Sequence, residues 1–175
     1  MVSGTSVDDW ATNLALAAAP GEVDLAADMA AAYVAGGRDR AQLFQDYGSP
    51  PASFDAGVVL TVFPAVLSAV VAVGTTFVQL LDVPEKITSL LTLWDAVHER
   101  LARRRETPAE NAPSGTDHTY RTLVSLLETF QAELSKAGLD PDRSELIAYR
   151  AIRCLLDNPE GTREFLDAAA STTRR

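Results

Sequence analysis

The sequence predicts an all-α protein, a helical bundle with one long apolar central helix and a C-terminal three-helix module. Apolar side chains recur three and four residues apart along most of the chain, which is the spacing of amphipathic helices. Residues 56–81 form an uncharged run of about 26 residues, longer than the roughly 10–14 of an ordinary buried helix. Near the C-terminus, Asp140-Pro141 and Asn158-Pro159 each pair a helix cap with a first-turn proline.

Composition limits the classes of function. The 175 residues are 47% hydrophobic, enough for a core, and carry a net charge of −9 that argues against nucleic-acid partners. The single cysteine, Cys154, excludes an intramolecular disulfide and a multi-cysteine zinc site. Arginine far outnumbers lysine and alanine is abundant, which is typical of GC-rich bacterial coding. No cofactor is expected.

The segment 1–55 is the acidic end of the chain and is expected to hold three short helices. Trp10 falls on the apolar face of the first, predicted over 7–19 before Pro20-Gly21 interrupts the pattern. The second helix ends at Gly36-Gly37, and Asp39 is predicted to cap the third.

Residues 56–81 lie either in lipid or in a protein core. Their length and content of valine, leucine and phenylalanine suit a transmembrane span. Pro64 and the polar residues Thr75, Thr76 and Gln79 favour a core helix instead. Buried β structure is a third reading, disfavoured by the helical surroundings. Small residues spaced four apart predict a helix-packing face for self-association. This face comprises Gly57, Thr61, Ala65, Ala69, Ser68 and Ala72.

The segment 82–106 is predicted to be an amphipathic helix with a basic end. The helix starts after Asp82-Val-Pro84, and Trp94 lies on its apolar stripe. It ends in a basic cluster, which would contact anionic lipid if 56–81 spanned a membrane and would favour a cytoplasmic C-terminal side. The basic cluster comprises Arg100, Arg103, Arg104 and Arg105.

Residues 107–117 are rich in proline, glycine and small polar residues and are predicted to form a linker. The segment 118–175 then carries three helices separated at Gly138 and Asn158. Arginines at 143, 150 and 153 suggest a recognition helix for DNA, but the acidic residues around them argue against it.

Catalytic motifs are scarce in this sequence. Asp95 and His98 stand three apart on a predicted helix, the spacing of one carboxylate and imidazole pair in helical metal sites. Only one such pair occurs, so a complete site would need another chain, and a solvated charged face is the simpler reading. Cys154 is expected to be a buried structural thiol.

Two functions are therefore expected, both non-enzymatic. The first is a membrane-associated helical protein that oligomerises through its apolar segment and binds a protein partner, placed in the bacterial inner membrane with a cytoplasmic C-terminal side. The alternative is a soluble, cytoplasmic helical bundle that acts as an adaptor or regulator, with 56–81 as its buried central helix. A metal-dependent enzyme built from Asp95 and His98 across subunits is the third hypothesis.

Overall fold

The computed structural model describes residues 7–44, 62–81, 91–92, 94–95 and 117–173, and every regular element in these ranges is helical. This confirms the predicted all-α class. The four residues described between 91 and 95 are helical as well. The elements are α1 (Val7–Ala18), a 3₁₀ helix (Pro20–Leu25), α2 (Ala26–Ala35), α3 (Gly37–Gln42), α4 (Val62–Leu81), α5 (Asp117–Lys136), α6 (Pro141–Asp157) and α7 (Pro159–Thr173).

The N-terminal helices follow the predicted pattern with two differences. The second predicted helix is divided, because Pro20 opens a tight 3₁₀ helix in which the Glu22 amide donates to the Ala19 carbonyl. Asp39 does not cap α3. Gly36, with a φ of 71°, both ends α2 and precedes α3, so Asp39 lies inside the first turn.

Helix α4 is the long apolar helix, and residues 56–61 of the predicted run lie outside the described residues. It packs mainly against α5 and also contacts α1, α2 and α7. Pro64 lies in its first turn, where the missing N–H removes no intrahelical hydrogen bond. The helix therefore accommodates Pro64 at its start.

The three C-terminal helices confirm the predicted module. Gly138, with a φ of 89°, lies in the connection that follows the end of α5. The Asp140 carboxylate accepts a hydrogen bond of 3.0 Å from the Arg143 amide at the start of α6. Helix α5 begins at Asp117, the last residue of the predicted linker. The rest of that linker lies outside the described residues.

The N-terminal and C-terminal helices share one hydrophobic core. Trp10 of α1 stacks on Phe165 of α7 with 4.4 Å between the ring centroids, and its indole N–H donates to the Thr162 hydroxyl at 3.0 Å. The Thr172 hydroxyl near the end of α7 donates to the Val34 carbonyl of α2 at 2.7 Å. Helices far apart in sequence are thus packed together around α4.

Candidate interaction surface

A buried carboxylate holds the start of α4. Glu22 of the 3₁₀ helix is 2% exposed, and its two oxygens accept hydrogen bonds from the amides of Val62 at 3.2 Å and Phe63 at 3.0 Å. These amides begin a helix, so they have no intrahelical partner and favour a negative charge. Burial raises the pKa of the Glu22 carboxyl above 4.5, although both amide bonds and the charge of Arg143 oppose the shift.

The predicted helix-packing face is divided between the core and the surface. Ala65 and Ala69 are buried inside the chain, and Ser68 accepts a hydrogen bond of 3.3 Å from the Tyr33 hydroxyl. Ala72 is exposed, whereas Gly57 and Thr61 lie outside the described residues. The buried part of the face packs α4 against the chain's own helices.

Asp95 is an ion-pair partner for α6. One of its oxygens accepts hydrogen bonds from Arg153 at 2.6 Å and from the Tyr149 hydroxyl at 3.0 Å. Beside it, Trp94 is fully buried and stacks on Tyr149 with ring centroids 5.5 Å apart. These contacts attach Trp94 and Asp95 to the C-terminal module.

The predicted metal pair is only partly described, since His98 lies outside the described residues. Within the described ranges, no three His, Cys, Asp or Glu side chains are grouped closely enough to hold a metal ion. The basic cluster of Arg100, Arg103, Arg104 and Arg105 also lies outside those ranges. For Asp95, the observed geometry is that of a structural contact.

A groove of about 720 Å³ lies between α1 and α6. Leu16, on its α1 side, is 63% exposed. Arg153 on its α6 side pairs with Asp95, whereas the exposed Arg150 makes no ion pair or hydrogen bond within the described residues. The lining residues are Asn13, Leu16, Ala17, Arg150, Arg153, Cys154, Asp157 and Asn158.

Cys154 lines this groove and is half-buried. Burial, with a smaller contribution from the charge of Asp157, raises the pKa of its thiol to about 11. Because the thiolate is the reactive form, the raised pKa lowers the reactivity of this thiol at neutral pH. The sequence predicted a buried structural thiol, whereas the structure leaves Cys154 half-buried because one side of it lines the groove.

Comparisons with protein-family models, curated proteins and solved structures gave no match. Functional interpretation therefore starts from the geometry of this chain.

The contacts of Glu22 and of Arg153 with Asp95 could not be predicted from the sequence. Glu22 accepts hydrogen bonds from Val62 and Phe63, which lie 40 and 41 positions further along the chain. Arg153 donates to Asp95 across 58 positions. Neither spacing has a local signature. The available signal for the groove was the row of arginines on α6, which suggested a recognition helix for DNA that the surrounding acidic residues argue against.

Proposed function

We propose that the protein is a soluble helical bundle that acts as a non-enzymatic adaptor or regulator, with α4 as its buried central helix. The observation that carries this proposal is the orientation of α4. Its large apolar residues face the other helices, whereas Ala72, Thr75 and Gln79 are exposed. The inward-facing set comprises Phe63, Val66, Leu67, Val70, Val73 and Phe77.

This orientation is that of a core helix. In a bilayer, packed helices bring small residues together and leave large apolar side chains to the lipid. Helix α4 buries both small residues, Ala65 and Ala69, and large apolar ones, and its exposed positions, Ala72, Thr75 and Gln79, carry small or polar side chains. The Glu22 carboxylate supports the same proposal, because it satisfies the first amides of α4 from within the chain.

A membrane-associated protein that oligomerises through its apolar segment is the second candidate. One observation favours it: Val62–Leu80 is 19 residues long with a mean hydropathy of 1.8, sufficient in length and composition to cross a membrane. In that state α4 leaves the bundle, and Ala65 and Ala69 become available for packing between copies. The arginines of the basic cluster then contact anionic headgroups.

Flotation of the full-length protein with phosphatidylcholine and phosphatidylglycerol vesicles separates the two candidates. Two neighbouring variants sharpen the test, since Ala72 is exposed and Val73 is buried near the middle of α4. In a bundle, Ala72→Lys leaves the melting temperature nearly unchanged and Val73→Lys lowers it sharply, because only the second buries a charge. In a membrane, each lysine costs roughly 2.5–3.5 kcal/mol of insertion.

We expect the wild-type protein to be monodisperse without detergent and to remain below the vesicles. We also expect only Val73→Lys to be destabilised. Flotation that survives a carbonate wash and is weakened equally by both lysines would reject the bundle and support the membrane-associated candidate.

A further inference from the structure

We infer that Glu22 is a lock on α4: while its carboxylate holds the first turn, α4 stays in the bundle, and when that hold is lost, α4 enters a lipid bilayer. This inference rests on the proposed function, since it takes α4 buried in the bundle as the resting state of the protein. It adds to that function a conditional attachment to membranes.

The apolar side chains of α4 suit both environments. They are largely buried in the bundle, and the 19 residues Val62–Leu80, with a mean hydropathy of 1.8, are also sufficient in length and composition to cross a membrane. Removal from water stabilises an apolar side chain in a protein core and in lipid alike, because lipid tails are as apolar as leucine. Apolar burial therefore keeps α4 out of water without selecting one of the two environments.

Hydrogen bonds from α4 to the rest of the chain exist only in the bundle, so they do select it. Among the described residues, Ser68 accepts from the Tyr33 hydroxyl at 3.3 Å, and the amides of Val62 and Phe63 donate to Glu22 at 3.2 and 3.0 Å. The two shorter bonds share one carboxylate, which accepts more strongly when it is ionised. A contact made in only one of two states shifts the equilibrium between them by its full strength.

The position of the lock at the start of α4 makes its loss selective. The first amides of a helix have no partner within the helix. Without Glu22 they would be buried in the bundle with no acceptor, which is costly. At the surface of a bilayer, water accepts from the first turn of an inserted helix. Loss of Glu22 therefore raises the free energy of the bundle and leaves that of the inserted helix unchanged.

Flotation of the full-length protein with phosphatidylcholine and phosphatidylglycerol vesicles at neutral pH tests the lock. Glu22→Ala removes both acceptor oxygens, and we expect it to raise the ratio of membrane-bound to free protein about thirtyfold. Glu22→Gln keeps one acceptor oxygen, so its ratio should lie between those of the wild-type protein and Glu22→Ala. The wild-type protein should remain below the vesicles.

A matched control separates the lock from a general loss of stability. Gly161→Ala crowds the buried Trp10, since an added Cβ would lie 2.9 Å from its Cδ1, and it touches none of the contacts of Glu22. It should leave flotation at the wild-type level although it destabilises the bundle.

A second substitution identifies the inserted element. Ala72 is exposed in the bundle, so Ala72→Lys is tolerated there, but a lysine in the middle of α4 opposes its entry into lipid. We expect the double variant Glu22→Ala with Ala72→Lys to lose the flotation of Glu22→Ala.

Three results would overturn the inference: flotation of Glu22→Ala at the wild-type level, equal flotation of Glu22→Ala and Gly161→Ala, or flotation of Glu22→Ala that persists with Ala72→Lys. If Glu22→Ala does not fold without vesicles, Glu22→Gln is compared with Gly161→Ala under the same criteria. Failure of the proposed function is read from a different sample, because it would show as carbonate-resistant flotation of the wild-type protein.

Discussion

At the scale of single residues, Glu22 makes the most consequential contact. A carboxylate buried in a protein is costly unless hydrogen bonds and opposite charge compensate it. Here the two α4 amides provide the hydrogen bonds, yet burial remains the larger effect and the pKa is raised. Glu22 thus positions α4, and the folded chain is less stable with this carboxyl charged than with it protonated.

Replacing Glu22 tests both parts of this statement. Glu22→Ala leaves the amides of Val62 and Phe63 without an acceptor, so we expect a loss of about 2 kcal/mol in the free energy of unfolding. Glu22→Gln keeps one acceptor oxygen and removes the charge, so its loss at pH 7 should be smaller. Urea denaturation measures both, with Asp24→Asn at an exposed neighbouring position as the control.

The pH dependence has a definite sign. Because the folded pKa of Glu22 lies above its unfolded value of 4.5, the folded state binds the proton more tightly. The resulting stability is fully present below pH 4.5 and is lost as the pH rises through the folded pKa. Wild-type protein should therefore gain stability relative to Glu22→Gln as the pH is lowered from 7 towards 4.5, and a constant difference would contradict the raised pKa.

At the scale of helices, glycines decide how closely elements approach. A Cβ added at Gly161 of α7 would lie 2.9 Å from Cδ1 and 3.0 Å from Cβ of Trp10. That indole is fully buried and hydrogen-bonded to Thr162, so it has little room to move. At Gly74 of α4 the nearest atom is the Leu166 Cδ2, at 2.7 Å, which is the end of a partly buried, flexible side chain.

These two positions should respond differently to alanine. Gly161→Ala should lower the free energy of unfolding by about 1–3 kcal/mol through overpacking against Trp10. Gly74→Ala should be nearly neutral, because Leu166 can rotate and alanine gains about 1 kcal/mol of helix propensity over glycine. Urea denaturation of the two variants side by side provides the comparison. Equal destabilisation would show that the α1–α7 contact is no more rigid than the α4–α7 contact.

The elements themselves were largely predictable. Helix α6 begins where Asp140-Pro141 predicted it, because the Asp140 carboxylate accepts from the amide three residues on and the ring of Pro141 fixes φ near its helical value. The interruption at Pro20 was predicted, but the division of the second helix into a 3₁₀ helix (Pro20–Leu25) and α2 (Ala26–Ala35) was not. The same apolar spacing continues through a 3₁₀ helix, so periodicity alone does not reveal the change of geometry.

At the scale of the whole molecule, the C-terminal module depends on the N-terminal helices. Trp10 stacks on Phe165, and α4 packs against α5 and α7. We expect a fragment spanning 117–175 to lose the cooperative thermal transition and the near-ultraviolet circular dichroism of the full chain, because its buried faces become exposed to water. Co-expression with a fragment spanning 1–106 should restore both signals. A sharp melting transition of 117–175 alone would contradict this dependence.

The groove between α1 and α6 belongs to the same scale. The helices on its two sides, α1 and α6, can each be predicted from the sequence, and Leu16 and Arg150 belong to them. Their meeting across one groove depends on how the N-terminal and C-terminal parts of the chain pack.

The sequence by itself determined the all-α class, the long apolar helix and the three-helix C-terminal module. Periodicity, caps and composition act over a few residues, so they can be read directly from the chain. The tertiary structure alone decided which side of α4 faces the core, what holds its first turn, and which arginine of α6 pairs with Asp95. These depend on contacts between residues distant in sequence, which no local pattern encodes.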